Sequence, residues 1–121
     1  MNLIRQKMKV RQFEIWLADL NPRIGTEPGK VRQVVVIQTD LLSKYHPSTL
    51  ILPLTTKVEP RATLLRVQLP KGCCELEEEC DIIIDQVRVI DNKRLMKKIG
   101  RVPTKTAEKI KFNLRVIFDL E

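Results

Sequence analysis

The chain has 121 residues and a mass of 14.1 kDa, with 22 Lys and Arg against 15 Asp and Glu, so its net charge is +7. This length predicts a single domain over residues 1–121, in which residues 1–11 form a basic tail. With 43% hydrophobic and 31% charged residues, the composition excludes a disordered chain. Apolar runs such as Val34–Ile37 are far shorter than the roughly 18 residues of a membrane span, and no signal peptide is expected, which favours a cytoplasmic protein.

The positive charge is concentrated outside one acidic segment. Residues 72–85 contain six acidic residues and no Lys or Arg, which leaves 22 basic residues against 9 acidic ones in the rest of the chain. Such an excess favours a polyanionic partner, nucleic acid first. The alternative is a basic surface that binds no nucleic acid. We interpret the acidic segment as a solvated loop.

Cysteine and histidine offer no metal-ligand pattern. Cys73, Cys74 and Cys80 lack the CxxC spacing of a zinc site, and His46 is distant from them in sequence. We therefore expect free thiols, a surface histidine, and neither a metal nor a cofactor.

The first half of the chain has the pattern of short strands joined by loops. Alternating apolar residues predict a strand over Phe13–Leu20, which Asn21–Pro22 ends. The next stretch, Arg23–Arg32, contains two glycines and a proline, so it is predicted to be a loop of a length that is often functional. The remaining predictions of this half are strands over Gln33–Thr39 and Thr49–Thr55 and a helical turn over Asp40–Tyr45.

The second half adds further strands and one helix. Ala107, Ile110 and Leu114 recur at helical spacing, which predicts an amphipathic helix over Thr104–Val116 with Thr104 as its N-cap. The other predicted elements are strands over Leu64–Leu69, Cys80–Ile90 and Lys97–Val102, a helical turn over Asn92–Leu95 and a short final strand over Phe118–Glu121. Short strands with one C-terminal helix predict a mainly β fold, a small barrel or curled sheet.

Few residues remain for chemistry, because no phosphate loop, serine elbow or Cys–His pair is present. RNA cleavage by the substrate's own 2′-hydroxyl needs no protein nucleophile, only groups that hold and neutralise the phosphate and assist proton transfer. A guanidinium suits this task because its planar fork bonds two phosphate oxygens. Arg32, at the end of the glycine-containing loop, is a candidate, and a structural salt bridge is the alternative role.

Three segments together resemble the MazF/PemK (Kid) family of toxin–antitoxin ribonucleases. The first runs from Trp16–Pro22 through Gly25–Arg32, and resembles the opening strand, the G-S-E-Q-x-G-x-R-P loop and the arginine of that family. The second combines Val34–Asp40 with Leu52–Thr56, and the third, Asp85–Leu95, resembles E/D-Q-[IV]-R-x-[IV]-D-x-x-R-L.

This resemblance implies a homodimer of small SH3-like barrels of the CcdB/MazF/Kid type, each with a C-terminal helix. Its implied activity is sequence-specific, metal-independent cleavage of single-stranded RNA, which leaves 2′,3′-cyclic phosphate and 5′-hydroxyl ends. A cognate antitoxin of the MazE/PemI type would inhibit the toxin, and DNA binding would occur through the antitoxin complex. Two alternatives stay open: a non-catalytic CcdB-like toxin that poisons DNA gyrase, and a basic nucleic-acid-binding barrel without chemistry.

The resemblance also implies roles for individual residues. Arg32 matches the catalytic arginine, Thr55 the threonine that supports it, and Glu27 an acid that some members are thought to use. The implied substrate-binding residues are Gly25, Thr26, Lys30, Thr39 and Gln86. The chain departs from the family pattern at Phe13, Pro28 and Gln33; of these, Pro28 and Gln33 border the implied RNA-facing loop and bear on base preference more than on cleavage. Trp16 is expected in the core or at a dimer contact.

Overall fold

Seven strands form one antiparallel sheet within residues 9–22, 25–26 and 30–121, the parts of the chain that the computed structural model describes. The predicted mainly β fold with a C-terminal helix is thereby confirmed. The strands are β1 (Glu14–Asp19), β2 (Val31–Val36), β3 (Ser48–Thr55), β4 (Arg66–Leu69), β5 (Cys80–Ile83), β6 (Arg88–Asp91) and β7 (Leu95–Arg101). The helices are α1 (Asp40–Ser43) and α2 (Thr104–Ile117), with 3-10 turns at Cys73–Glu75 and Asn92–Arg94.

Strand β3 is the centre of the sheet because it has neighbours along both edges. The strand order is β4-β5-β3-β2-β1-β7, and β6 also pairs with β3. On one edge, the first half of β3 pairs with β6 and its last two residues pair with β5, while β2 lies on the other edge. Strand β3 is therefore held from both sides, by β2 on one edge and by β6 and β5 on the other.

Alternate residues of the central strands enter two apolar clusters. Ile15, Val35 and Leu52 belong to the cluster that also contains residues of α2, whereas Trp16 and Val34 belong to the second cluster. Successive side chains of a strand point to opposite faces. Both faces of these strands are consequently buried, and the predicted core position of Trp16 agrees with the structure.

The C-terminal helix packs on the first cluster through Ala107 and Ile110. The predicted N-cap was wrong by one residue: Thr104 lies inside α2, because the carbonyl of Pro103 accepts the first helical hydrogen bond from Ala107. The predicted final strand was also wrong, since the Phe118 N–H still bonds to the carbonyl of Leu114. None of the helices in the described ranges is both long and apolar enough to cross a membrane.

The predicted strand Cys80–Ile90 is two strands, β5 and β6, separated by a turn. The Gln86 N–H donates to the carbonyl of Ile83 at 3.3 Å, which closes this turn. The division lets β5 and β6 pair with different halves of β3. A continuous run of apolar residues could not reveal it, because hydrophobic periodicity is the same in one strand and in two collinear strands.

Part of the acidic segment differs from the prediction. Cys73 and Cys74 lie side by side in the 3-10 turn with their sulfur atoms in contact, whereas Cys80 is a buried free thiol whose pKa is raised by burial together with the nearby acids Glu78, Asp81 and Glu79. The acidic segment is not wholly a solvated loop, because Asp81 lies in β5 and is completely buried.

Candidate active site

The register of the sheet brings Arg32 and Thr55 together. Arg32 is the second residue of β2 and pairs with Ala18 of β1. On its other edge, β2 pairs with β3 from Val34 opposite Pro53 to Val36 opposite Ile51, so the start of β2 lies next to the end of β3. The Nη1 of the half-buried Arg32 donates to the carbonyl of Leu54 at 3.4 Å. The guanidinium thus reaches the end of the neighbouring strand.

Thr55 presents its hydroxyl at this strand end. Its side chain is half-buried, and Oγ1 accepts a hydrogen bond from the Lys57 N–H at 3.1 Å. Because a hydroxyl has two acceptor lone pairs and one donor hydrogen, this contact uses a lone pair and leaves the donor for another partner. A guanidinium and a hydroxyl donor are therefore close together at the end of β3.

The loop between β1 and β2 is anchored at its two ends. The Lys30 N–H donates to Asn21 Oδ1 at 2.7 Å, and the carbonyl of Lys30 accepts from the Leu20 N–H at 2.8 Å. Arg94, which follows β6, donates from Nη1 to the carbonyl of Asp19 at 2.9 Å. These bonds hold the base of the loop next to the start of β2, where Arg32 lies.

The structure describes some of the remaining predicted loop residues and leaves one outside the described ranges. Gly25 and Thr26 are exposed, and Gly25 has a φ of 58°, in the left-handed region that glycine adopts without strain. Glu27 lies outside the described residues. His46 is exposed, as expected, and its Nδ1 accepts from the Ser48 N–H at 3.1 Å.

Thr26 and Gln86 share a cleft of about 370 Å³ although they are distant in sequence. The cleft combines apolar and polar groups, as ligand-binding clefts commonly do. Its other lining residues are Glu59, Ala62, Leu65, Arg66, Ile83 and Asp85.

Thr39 is not part of this group. It is the N-cap of α1, where its Oγ1 accepts from the Leu41 N–H at 3.3 Å. Arg32 lies at the start of β2 and Thr39 follows the other end of that strand, so at ~3.3 Å per residue they are roughly 20 Å apart along the chain direction. The structure places Thr39 away from Arg32 and Thr55.

The sequence did not predict a buried ion pair between Arg66 and Asp81. Their Nη1 and Oδ2 atoms are 2.8 Å apart, and Asp81 pairs with Thr55 across the β3–β5 ladder. One signal was present: Asp81 directly precedes the apolar run Ile82–Ile84. A carboxylate inside such a strand needs a buried partner.

The donors of this site suit a phosphate group better than a metal ion. Arg32 offers N–H donors and Thr55 a hydroxyl, and both can bind anionic oxygens. Among the residues that the structure describes, no group of three or more His, Cys, Asp or Glu side chains is arranged to hold a metal ion.

Comparison with known proteins agrees with this architecture. The toxin MazF-mt6 of Mycobacterium tuberculosis has a similar structure, with a TM-score of 0.74 and 20% identity over 89% of this chain and 98% of that one. MazF of Deinococcus radiodurans has a TM-score of 0.81 and 16% identity over 94% and 100% of the two chains. An endoribonuclease in complex with its cognate antitoxin, from a mycobacterial species, has a TM-score of 0.73 and 15% identity over 94% and 97%.

At these identities the structural likeness shows a shared fold. The family is shown separately, by a model of the PemK-like, MazF-like toxins of type II toxin–antitoxin systems that matches residues 11–118. This match covers the sheet, helix α2, and both Arg32 and Thr55. The chain therefore belongs to the PemK-like, MazF-like toxin family of type II toxin–antitoxin systems.

Proposed function

We propose that this chain is a sequence-specific, metal-independent endoribonuclease toxin that cleaves single-stranded RNA in the cytoplasm. The observation that carries the proposal is the placement of the Arg32 guanidinium at the end of β3, where its Nη1 donates to the carbonyl of Leu54, the residue before Thr55. Family membership supports the same activity. We further propose that residues 1–121 act as one toxin domain.

In the proposed reaction the nucleophile is the 2′-hydroxyl of the RNA. The 2′-oxygen bonds to the adjacent phosphorus as its proton leaves, the bond from phosphorus to the 5′-oxygen breaks, and that oxygen receives a proton. The products are a 2′,3′-cyclic phosphate and a 5′-hydroxyl, so no external water or oxidant is consumed. Arg32 donates to the nonbridging oxygens, whose charge increases in the transition state, and the Thr55 hydroxyl donates one more hydrogen bond.

Base preference would come from the loop before β2 and from the cleft. Thr26 and Gln86 line that cleft and could bond the edge of a base, while Lys30 and Gly25 would hold the RNA backbone near Arg32. Glu27 is proposed, on the family resemblance, as an acid or base in proton transfer. Thr39 would contact only RNA that extends to the far end of β2.

We propose a homodimer and an antitoxin as protein partners. The structural neighbours include a MazE–MazF pair from Deinococcus radiodurans and an endoribonuclease bound to its antitoxin. A groove that binds a phosphate backbone can also be filled by an acidic, disordered peptide that folds on binding. Such an antitoxin segment should compete with RNA, and cleavage that continued at full rate with the segment bound would contradict this.

The test is cleavage of a labelled mixed RNA pool by purified protein in EDTA, with sequencing of the fragment ends. We expect discrete fragments with cyclic-phosphate ends, and a rate that falls by roughly 10²- to 10³-fold in Arg32→Ala, as for the loss of one transition-state donor. The matched control is Arg101→Ala. Arg101 ends β7 opposite Glu14, the first residue of β1, whereas Arg32 lies opposite Ala18 near the other end of β1, so this variant removes the same charge far from the site and should keep cleavage near the wild-type rate.

The same assay separates the alternatives. Intact RNA together with inhibited DNA supercoiling would identify a gyrase poison. RNA binding with a steep salt dependence and no cutting would identify a binding barrel. Wild-type cleavage by a folded Arg32→Ala protein would refute the mechanism.

A further inference from the structure

A buried ion pair holds the loop that follows Thr55, and the proposed reaction assigns it no role. We define the Thr55 loop as residues 56–65, between β3 and β4. The pair consists of Arg66, the first residue of β4, and Asp81 of β5; the Asp81 side chain has no exposed surface, and that of Arg66 is 21% exposed. Since desolvation offsets much of the attraction in a buried ion pair, stability alone is a weak explanation for it.

The contacts of Asp81 are directed at the Thr55 loop. Its Oδ2 atom accepts from the Glu59 N–H at 2.6 Å and from Arg66 Nη1 at 2.8 Å. Its Oδ1 atom is buried without a hydrogen-bond partner within the described part of the chain. An unpaired buried acceptor lowers stability. The carboxylate therefore binds the loop through one oxygen while the other remains unsatisfied.

These contacts continue to the hydroxyl of Thr55. Arg66 Nη1 also donates to the carbonyl of Lys57 at 3.1 Å, and the N–H of the same Lys57 donates to Thr55 Oγ1 at 3.1 Å. Both backbone polar groups of Lys57 are thus engaged, one by Arg66 and one by Thr55. Asp81 in addition lies directly opposite Thr55 in the β3–β5 ladder.

We infer that Asp81 is a positioning residue for Thr55, acting through Arg66 and Lys57; this inference rests on the proposed nuclease function. The ion pair keeps the Lys57 peptide in place, and the Lys57 N–H occupies one lone pair of Oγ1, which orients the hydroxyl hydrogen toward the substrate phosphate. Glu59 and Arg66 also line the cleft with Gln86. Because Asp81 binds both Glu59 and Arg66, it also shapes one wall of the proposed base-binding cleft.

The first experiment uses Asp81→Asn, which keeps the shape and an acceptor but removes the charge that holds Arg66. At a temperature where circular dichroism shows the variant folded, we expect kcat to fall roughly ten- to a hundredfold, as for a slightly misplaced catalytic group. We expect KM to change less than about twofold, because the lost interaction acts mainly in the transition state.

The matched control is Glu14→Gln, which removes the charge of another buried carboxylate. Glu14 is the first residue of β1 and is remote from Ala18, the β1 residue that pairs with Arg32. It should lower stability without lowering kcat. A folded Asp81→Asn protein with kcat within about twofold of wild type would overturn the inference. An equal fall of kcat in both variants would also overturn it, since the effect would then be general destabilisation.

A second measurement does not depend on cleavage. Hydrogen exchange of the RNA-free protein should show faster exchange at the Lys57 and Glu59 amides in Asp81→Asn than in wild type. Unchanged protection of Lys57 would overturn the inference even if the nuclease proposal were right. A wild-type protein that cuts no RNA would refute the nuclease proposal, and the exchange result would still decide whether Asp81 holds the Thr55 loop.

If Asp81→Asn fails to fold, the double variant Asp81→Asn with Arg66→Met replaces the pair by neutral side chains, which is often tolerated at buried ion pairs. It should show the same loss of protection at Lys57. Retained protection in this folded double variant would overturn the inference.

Discussion

The pH dependence of stability should contain a distinct contribution from Glu14, which Glu14→Gln would remove. This carboxylate is buried in β1, and its Oε1 accepts from the Arg11 N–H at 2.9 Å and from Trp16 Nε1 at 3.0 Å. Its Oε2 lies 3.0 Å from Lys98 Nζ. Burial raises the pKa of Glu14, but the bonds from Trp16, Arg11 and Lys98 together outweigh burial and lower the pKa below its ordinary value.

The magnitude follows from these three contacts. Glutamine keeps a carbonyl acceptor for Arg11 and Trp16, so each bond loses only its charge-assisted part, about 1 kcal/mol. Lys98 is 54% exposed, and its ion pair contributes at most about 1 kcal/mol. Relief from burying a charge offsets part of the sum. We expect the free energy of unfolding to fall by about 1–2 kcal/mol at neutral pH, a Tm decrease of about 4–8 °C.

The sign of the pH effect follows from the lowered pKa. Above the unfolded-state pKa of about 4.3 the folded protein has the full stabilisation from the ionised Glu14, and this stabilisation is lost as pH falls through the lower folded-state pKa. The difference in the free energy of unfolding between wild type and Glu14→Gln should therefore be largest at neutral pH and disappear in acid.

Urea titrations at a series of pH values would measure this difference. Trp16 is the only tryptophan in the sequence and donates to Glu14, so its fluorescence reports unfolding at the site itself. The control is Glu108→Gln, because Glu108 is 64% exposed and its ion pair with Lys111 is long, at 3.6 Å. If the difference in free energy of unfolding between wild type and Glu14→Gln stayed constant or grew toward acid pH, the lowered pKa of Glu14 would be refuted.

Two further predictions concern the core and the site. Ile110→Ala should lower the free energy of unfolding by about 2–5 kcal/mol, because Ile110 is completely buried between α2 and the sheet. Thermal unfolding measures this loss, and a loss below about 1 kcal/mol would contradict the packing described. Thr55→Val removes the hydroxyl at nearly constant shape and should slow RNA cleavage about tenfold, the equivalent of one hydrogen bond, with little change in Tm. An unchanged single-turnover rate of cleavage would exclude the hydroxyl from the reaction.

The structure also shows why one glycine cannot be replaced freely. A Cβ atom on Gly100 of β7 would collide with the backbone carbonyl of Cys74, whose carbon would be 3.0 Å away. The 3-10 turn that contains Cys73 and Cys74 thus packs directly on β7. The sequence shows no sign of this contact, because it joins backbone segments that are distant in the chain.

The local pattern of apolar and polar residues was sufficient to predict much of the secondary structure. The alternation around Ile15 and the helical spacing of Ala107 and Ile110 predicted β1 and α2, because side-chain periodicity depends only on neighbouring residues. It failed where a boundary depended on tertiary contacts: the apolar run after Cys80 is split at Gln86 because β3 accepts two different partners along one edge.

Residue types and motif order by themselves determined the mainly β fold, the C-terminal helix and the family resemblance of this protein. They also singled out Arg32 and Thr55 as candidate catalytic residues. Only the tertiary structure decided that the Arg32 guanidinium reaches the end of β3, next to Thr55, because the register of β2 on β3 is set by pairing between separate strands. It likewise decided that Asp81 is a buried partner of Arg66 and not part of a solvated acidic loop, since burial depends on residues brought together from distant parts of the chain.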